Sequence, residues 1–362
     1  MAEVLVPAPA LESWTKAVVR AMGAGEEVAA EVAHHLVGAN LAGHDSHGVL
    51  RLPQYMREVD SGTLVPDARP DVVRSRGAVG VIDAHRGFGH YSTRWAVDWC
   101  IDLARREGVA TAAVRHAMHI GRLGEYGERA ASEGLVGFFT VGVAGQAAGS
   151  VAPFWGAERF LGTNPWCMAV PAVDRPPLVI DFATSAIAEG KVRVARAKGV
   201  EVPPGTLRAP SGEPTREPSL LYEGGMLLPA GGEVAGHKGY GLSLASALIG
   251  GLAMIDDPEP TPGGTMMPFP DEWSAHIAGV WMMVVDPGWF GPADQYLRRV
   301  SAVLDSVAGV KPAPGFEGVL VPGDPERLRR AERQASGVPI PEATWTELTE
   351  LSRRLGVAMP AR

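Results

Sequence analysis

The sequence is marked first by what it lacks. No G-x-G-x-x-G stretch occurs in its 362 residues, so the glycine fingerprint of an ordinary dinucleotide-binding βαβ unit is missing. No G-x-S-x-G occurs either, which disfavours an α/β-hydrolase nucleophile elbow. Only two cysteines are present, Cys100 and Cys167, each inside an apolar run. They cannot build a disulfide framework and read as buried free thiols. Basic residues are outnumbered, with 33 Lys and Arg against 41 Asp and Glu and a net charge of −8. That balance excludes a general nucleic-acid binder, which needs a cationic surplus to neutralise phosphates. No run of 18 apolar residues suggests a membrane span; the best candidate, Leu242–Ile255, is broken by glycine and reads as a buried helix. The amino terminus has no cationic flank ahead of an apolar stretch, so a signal peptide is not expected. The expectation is a soluble, cytoplasmic protein.

What is present is a chain of alternating elements. Leu11–Met22 and Glu26–Leu41 read as helices, the second with Val28, Val32, Leu36 and Ala39 on one stripe. Residues 61–78 look like a connector. Strands are expected at 79–84, 109–114, 135–143, 168–171 and 178–182, with helices at 94–107 and 125–132 and another starting near Ala186. The Pro- and Gly-dense stretch 199–236 returns the chain to further helices at 240–254, 293–308, 325–334 and 342–355, interrupted by a strand at 277–285. Strands alternating with helices favour an α/β sheet. Helices at both ends suggest a central domain inserted into a mainly helical one.

Four segments concentrate chemistry. Gly43–Tyr55 packs His44, Asp45, Ser46, His47 and Arg51 together. A helix running from Ser46 would set His47 and Arg51 at i and i+4 on one face. An imidazole there can shuttle a proton near neutrality, and a guanidinium can grip a carboxylate through two parallel hydrogen bonds. The same residues also suit a plain polar helix start capped by Asp45 or Ser46. The second segment, His116–Gly127, opens backbone amides at Gly121, Gly124 and Gly127 where a helix begins, a place for phosphate or for a structural histidine. The third joins Leu161–Pro165 to Asp181–Lys191, placing Thr184 and Ser185 at a helix start. The fourth, Gly236–Gly241, holds Lys238 between glycines, open to an anion. A zinc site is disfavoured: His34 and His35 diverge by roughly 100° around a helix, and no H-E-x-x-H or cysteine pair accompanies them.

Taken together, DSHGVLRLPQY, HIGRLGEYGERAASEGLVG, FLGTNPWCMAVP, DFATSAIAEGKV, GHKGYGLSL and VLVPGDPERLRRAER resemble one family. It is the malate/L-lactate dehydrogenase family without a Rossmann fold, which also holds ureidoglycolate, sulfolactate, diketogulonate and cyclic-imino-acid oxidoreductases. The resemblance spans about residues 30–355. It implies an atypical, mixed-sheet NAD(P)-binding domain at 111–235, inserted into a mainly helical domain formed by 1–110 and 236–362 that carries the catalytic residues. It also implies a homodimer. Ser46, His47 and Arg51 match the family's D-S-H-G segment and its carboxylate-binding arginine, and His119 matches a second family histidine. Thr163 falls near the substrate. Gly121, Asp181, Ala183, Thr184, Ser185, Lys238, Gly323 and Asp324 fall near the cofactor.

The expected reaction is hydride exchange between nicotinamide and C2 of a small 2-hydroxy or 2-oxo acid. His47 is expected as proton donor and acceptor, oriented by Ser46, with Arg51 on the substrate carboxylate and His119 nearer the nicotinamide. NAD is the expected cofactor, with NADP the alternative if Arg193 and Arg196 meet a 2′-phosphate. No metal is expected. Two other functions compete. One is reduction of a cyclic imino acid, against which Lys191 after Gly190 weighs. The other is a catalytically silent cofactor-binding protein, suggested because the family's Thr-Asn-x-Ser is replaced by Val141-Gly142-Val143-Ala144. The stretch Gly279–Met282 departs from the family as well.

Overall fold

The computed structural model describes residues 3–145, 149–255 and 277–361. The chain opens with β1 (Glu3–Val6), α1 (Ala8–Ala21), α2 (Glu26–Leu41) and α3 (Leu52–Asp60). The central part follows as β2 (Asp71–Arg76), β3 (Val79–Asp83), α4 (Gly89–Glu107), β4 (Val109–Arg115), α5 (Leu123–Ser132), β5 (Val136–Ala144), β6 (Trp166–Val170), β7 (Leu178–Phe182) and α6 (Glu189–Lys198). Three two-residue strands, β8 (Leu207–Arg208), β9 (Pro214–Thr215) and β10 (Met226–Leu227), lead into α7 (Gly232–Gly250). Then come β11 (Ile277–Val285), α8 (Ala293–Ala308), α9 (Asp324–Ser336), β12 (Val338–Pro341) and α10 (Glu342–Leu355).

Seven strands form one mixed sheet in the order β2-β3-β4-β11-β5-β6-β7. Only β3 and β4, joined through α4, run parallel; the other pairs are antiparallel. Side chains alternate across a strand, and β5 shows the consequence. Phe139 and Val141 join the core under α4 and α5, while Thr140, Gly142 and Ala144 face α7 on the other side. Helices thus cover both faces, which explains the near-continuous burial of β5. A second core gathers α1, α2, α3 and α10, and the two chain ends meet there through the β1–β12 pair and the Trp14 Nε1–Ser352 Oγ hydrogen bond of 2.9 Å.

The strands at 71–83 and 277–285, grouped by sequence with the helical part, are hydrogen-bonded into this sheet, and β11 is its central strand. Residues 71–76, read as connector, form an edge strand; most of its side chains are exposed, so no apolar alternation marked it. Helix α7 begins at Gly232, eight residues before the expected start. Its glycines read as a loop signal, yet Gly236 and Gly239 lie against Phe154 and Ala230 so closely that a Cβ would collide. Helix α6 starts at Glu189 rather than near Ala186, because residues 184–186 are spent pairing with Thr163, Leu228 and Pro229.

A buried ion pair ties the ends of β3 and β4 together. Asp83 is 5% exposed and accepts from Arg115 Nε at 2.8 Å, from His116 Nδ1 at 2.9 Å and from the His85 backbone amide at 2.8 Å. Burial pushes its pKa up, but these donors prevail and hold it well below the usual carboxylate range. With its folded pKa depressed, Asp83 contributes stability that is complete above the unfolded carboxylate range and is lost as pH falls toward the folded value. Asp83→Ala strands Arg115 beside the core and is expected to cost about 3 kcal/mol or more in urea unfolding at neutral pH, with the difference narrowing in acid.

Candidate active site

The 45–51 segment is built as two 3-10 turns, Asp45–His47 and Val49–Arg51, broken at Gly48, which is extended (φ −92°, ψ −157°). The continuous helix from Ser46 is therefore not formed, and the i, i+4 face expected for His47 and Arg51 does not exist. The break has a cause in Asn40. Its Oδ1 accepts from the Val49 amide at 3.0 Å and its Nδ2 donates to Asp45 at 2.7 Å; a Cβ on Gly48 would fall 2.2 Å from that oxygen. Asp45 also takes a bidentate pair from Arg333 of α9, at 2.7 and 3.0 Å. Asp45 thus anchors the turns instead of facing a ligand, and Arg333 ties them to the carboxyl-terminal part of the chain.

These turns still bring the candidate residues together. His47 Nδ1 lies 2.9 Å from Ser46 Oγ, and its ring stacks on His119 at 5.5 Å between centroids. His119 sits after β4 and is 3% exposed. Its Nδ1 is 2.6 Å from Tyr55 Oη, while its Nε2 is buried without a hydrogen-bond partner among the described residues. Burial, followed by the positive charge of Arg51, holds the pKa of both His47 and His119 well below the usual imidazole value. Both rings are neutral at neutral pH.

Arg51 is aimed by two bonds, Nε to the Ser46 carbonyl at 2.7 Å and Nη1 to Gln54 Oε1 at 2.8 Å. Gln54 in turn donates to the buried Glu58 at 2.8 Å. No carboxylate pairs with Arg51 among the described residues, and its Nη2 has no partner there. An oriented, unpaired guanidinium beside two neutral imidazoles suits a small carboxylate ligand.

The expected cofactor residues fall into two groups. Thr184 donates from its amide to the Thr163 carbonyl at 2.9 Å and accepts from Ala230 at 2.7 Å; Ala230 lies against Gly239, next to Lys238. Thr163, Ala183, Thr184, Ser185 and Lys238 therefore share one region. Lys238 stands exposed on α7, not in a loop, and forms no ion pair among the described residues. The Thr163 hydroxyl has no partner among the described residues, whereas Thr184 and Ser185 donate theirs to backbone carbonyls. The same segment reaches Ser46, since a Cβ on Gly190 would lie 2.9 Å from Ser46 Cβ.

The second group is committed to the fold. Asp181 Oδ2 accepts from the Gly124 amide at 2.6 Å, and Asp324 Oδ2 accepts from the Val321 amide of the turn that precedes α9 at 3.0 Å. Gly323 (φ +100°) turns the chain against Val179. Gly121 (φ +73°) passes between His35 and His90, where a Cβ would lie 2.2 Å from His35 Nε2.

Sequence reasoning missed Tyr55 and His90. Tyr55 stood in the quoted motif, four residues after Arg51, and His90 lay between the expected strand at 79–84 and helix at 94–107, where no element was assigned. Gly142 tells the reverse story. Its α-carbon faces the Ser246 carbonyl of α7, and a Cβ would fall 2.1 Å from it, so a side chain there would enter the helix rather than a ligand site. Thr140 and Ser246 join hydroxyls at 2.5 Å, and Asn164 bonds the Val143 amide at 2.9 Å and the Ser243 carbonyl at 3.0 Å. At Gly142 the departure is thus a close helix-on-strand contact, so the missing side chain there is no sign of a catalytically silent protein.

A mixed α/β scaffold that brings together two neutral imidazoles and an arginine without a carboxylate partner among the described residues has the groups that acid–base chemistry on a small carboxylate needs. The chain belongs to the malate/L-lactate dehydrogenase family, whose sequence profile matches residues 6–349. It is 37% identical over 352 residues to hydroxycarboxylate dehydrogenase B of Escherichia coli K12, covering 97% of this chain and 94% of that one. Among solved structures it resembles malate dehydrogenase from Pyrococcus horikoshii OT3, with a TM-score of 0.85, 30% identity, and coverage of 99% of this chain and 97% of the other. It also resembles delta1-piperideine-2-carboxylate reductase from Pseudomonas syringae pvar. tomato, with a TM-score of 0.80, 31% identity, and coverage of 96% and 99%. The protein is an oxidoreductase acting on 2-hydroxy acids.

Proposed function

We propose that the protein interconverts a small 2-hydroxy acid and its 2-oxo acid with NAD, and that His119 is the acid–base group. The observation that carries this reading is the His119 ring: Nδ1 is held by Tyr55, and Nε2 is buried, without a partner among the described residues, in a ring stacked on His47. A buried nitrogen without a partner is costly unless a ligand supplies one. Arg51 grips the substrate carboxylate through its open edge. The adjacent hydroxyl then meets His119 Nε2, which takes its proton as C2 is oxidised and returns it in the reverse direction. Ser46 fixes the His47 ring, whose stacking holds His119 in place. The sequence-based assignment gave these roles to His47 and His119 in the opposite order, on a helical spacing that the Gly48 break removes.

The nicotinamide, when bound, accepts hydride from C2 and gives it back. The residues present fit such a cofactor. Among the described residues the Thr163 hydroxyl has no partner and Lys238 has no ion partner to compete with a phosphate, and the Ala183–Ser185 segment runs from Thr163 toward Ser46. Arg193 is paired with Glu189 and Arg196 lies over Tyr222, which supports NAD over a 2′-phosphorylated cofactor. In this reading the helical layer contributes Ser46, His47 and Arg51, and the sheet layer His119, Thr163 and the cofactor segment. Exposed Leu248, Leu252 and Ile255 support a homodimer. No helix among the described residues is long and apolar enough to cross a membrane, and the buried free thiols support a cytoplasmic protein.

The piperideine-2-carboxylate reductase likeness supports one other reading, reduction of a cyclic imino acid, since its substrate also carries a carboxylate beside the reacting carbon. Malate, lactate, sulfolactate, ureidoglycolate and a cyclic 2-imino acid, each followed at the NADH and NADPH absorbance, separate the two. Turnover of hydroxy acids with NAD is expected. Turnover of the imino acid alone would transfer the proposal to that reaction.

A further inference from the structure

We infer that Tyr55 and His90 form a positioning pair behind His119, fixing the proton on its Nδ1 so that Nε2 is the nitrogen offered to substrate. The inference rests on His119 being the acid–base group. A neutral imidazole exists as two tautomers, and only the one with a bare Nε2 can accept a hydroxyl proton there. The partner at Nδ1 decides between them, as a carboxylate or carbonyl does for many working histidines.

Tyr55 Oη lies 2.6 Å from His119 Nδ1 and 3.3 Å from His90 Nε2, so one hydroxyl bridges two buried rings. It carries a single proton and must accept from one ring while donating to the other. Burial raises the Tyr55 pKa, so the hydroxyl stays protonated. If that proton goes to His90 Nε2, the oxygen's lone pairs face His119 and require a proton on its Nδ1. Taking up the substrate proton at Nε2 then needs no rearrangement behind the ring. Nδ1–H keeps its acceptor, and the imidazolium is stabilised by it.

His90 is held for this task. It is fully buried on α4, its ring 5.6 Å from Tyr55, 5.7 Å from His119 and 4.9 Å from His35 between centroids. His35 cannot exchange roles, because the Arg122 amide donates into its Nε2 at 2.8 Å. Gly121 closes the packing, with room for no side chain between the two rings. The titratable and charged groups around His119 are then His47 and Arg51 from the 45–51 turns, Tyr55 from α3, His90 from α4 and His35 from α2.

The test is a set of variants in the full chain, each checked for a native thermal transition, with kcat, KM and the pH dependence of kcat/KM for hydroxy-acid oxidation. Tyr55→Phe is expected to lower kcat by about ten- to a hundredfold with KM little changed. It should also move the acidic limb to lower pH, because the imidazolium loses its acceptor. His90→Leu should do the same in weaker form. His90→Gln, whose carbonyl can accept the Tyr55 proton, should restore most of kcat. Tyr55→Phe with unchanged kcat and limb would overturn the inference, as would equal losses in His90→Leu and His90→Gln. A His119→Ala enzyme that keeps its activity would instead remove the acid–base assignment on which the pair depends.

Discussion

Replacing His119 by alanine is expected to lower kcat and kcat/KM together by roughly a thousandfold in both directions, within the range general acid–base groups supply. His47→Ala should retain far more activity, with losses of about tenfold. The difference follows from what each ring has around it. His119 has one nitrogen committed to Tyr55 and the other buried without a partner among the described residues, where in the proposed reading a ligand atom completes its hydrogen bonding. His47 is partly buried and already bonded to Ser46, and its contact with His119 is a ring stack. The sign of the pH dependence is a further check. The base must be unprotonated to oxidise a hydroxy acid, and burial with Arg51 keeps its pKa well below the ordinary histidine value. Oxidation by the wild type should therefore hold its kcat/KM through pH 6.5, the usual midpoint for histidine, and fall only in stronger acid. Equal losses in the two alanine variants, or His47→Ala as the worse of them, would restore the opposite assignment.

The fold was legible where apolar residues recur with a helical or strand period. The strand at 277–285 and the helices at 26–41, 293–308 and 342–355 have the boundaries their apolar patterns suggest. It was least legible where glycine serves contact instead of turning. In α7, Gly236 and Gly239 allow close approach to Phe154 and Ala230 and look in sequence like a loop. At Gly142 the same economy of space brings α7 onto β5 and removes a side chain that one-dimensional comparison with the family placed beside the nicotinamide. Which glycines bend the chain and which admit a neighbour depends on the partner that packs there, and for Gly142 and Gly236 that partner, Ser246 or Phe154, lies far along the chain, outside any local window.

The site was legible as a set of residue types and illegible as a geometry. Ser46, His47, Arg51 and His119 do come together. The i, i+4 spacing that ranked them assumed a helix, and Asn40 and Arg333 hold a broken pair of turns instead. Tyr55 and His90 carried no sequence signal of their own, because a buried hydrogen bond between residues 35 apart, on α3 and α4, is a property of packing.

Arg51→Lys is the sharpest test of the substrate class. Arginine reaches the site with Nε on the Ser46 carbonyl and Nη1 on Gln54, leaving its remaining edge oriented and unpaired. Lysine keeps the charge but can neither hold those two bonds nor offer a planar fork. The expected loss is that of charge-assisted hydrogen bonds, about 1.5–3 kcal/mol, appearing as a KM raised roughly ten- to a hundredfold with a smaller change in kcat. Arg51→Met removes the charge as well and should have a second signature. Arg51 depresses the pKa of both His47 and His119, so its loss lets them rise. A base with a higher pKa is protonated at higher pH, and the acidic limb of hydroxy-acid oxidation should shift upward in Arg51→Met and stay near its wild-type position in Arg51→Lys. A substrate without a carboxylate should bind the wild type and both variants alike. If KM for hydroxy acids is unchanged in both variants, Arg51 does not hold the carboxylate, and the guanidinium serves only the electrostatics of the two histidines.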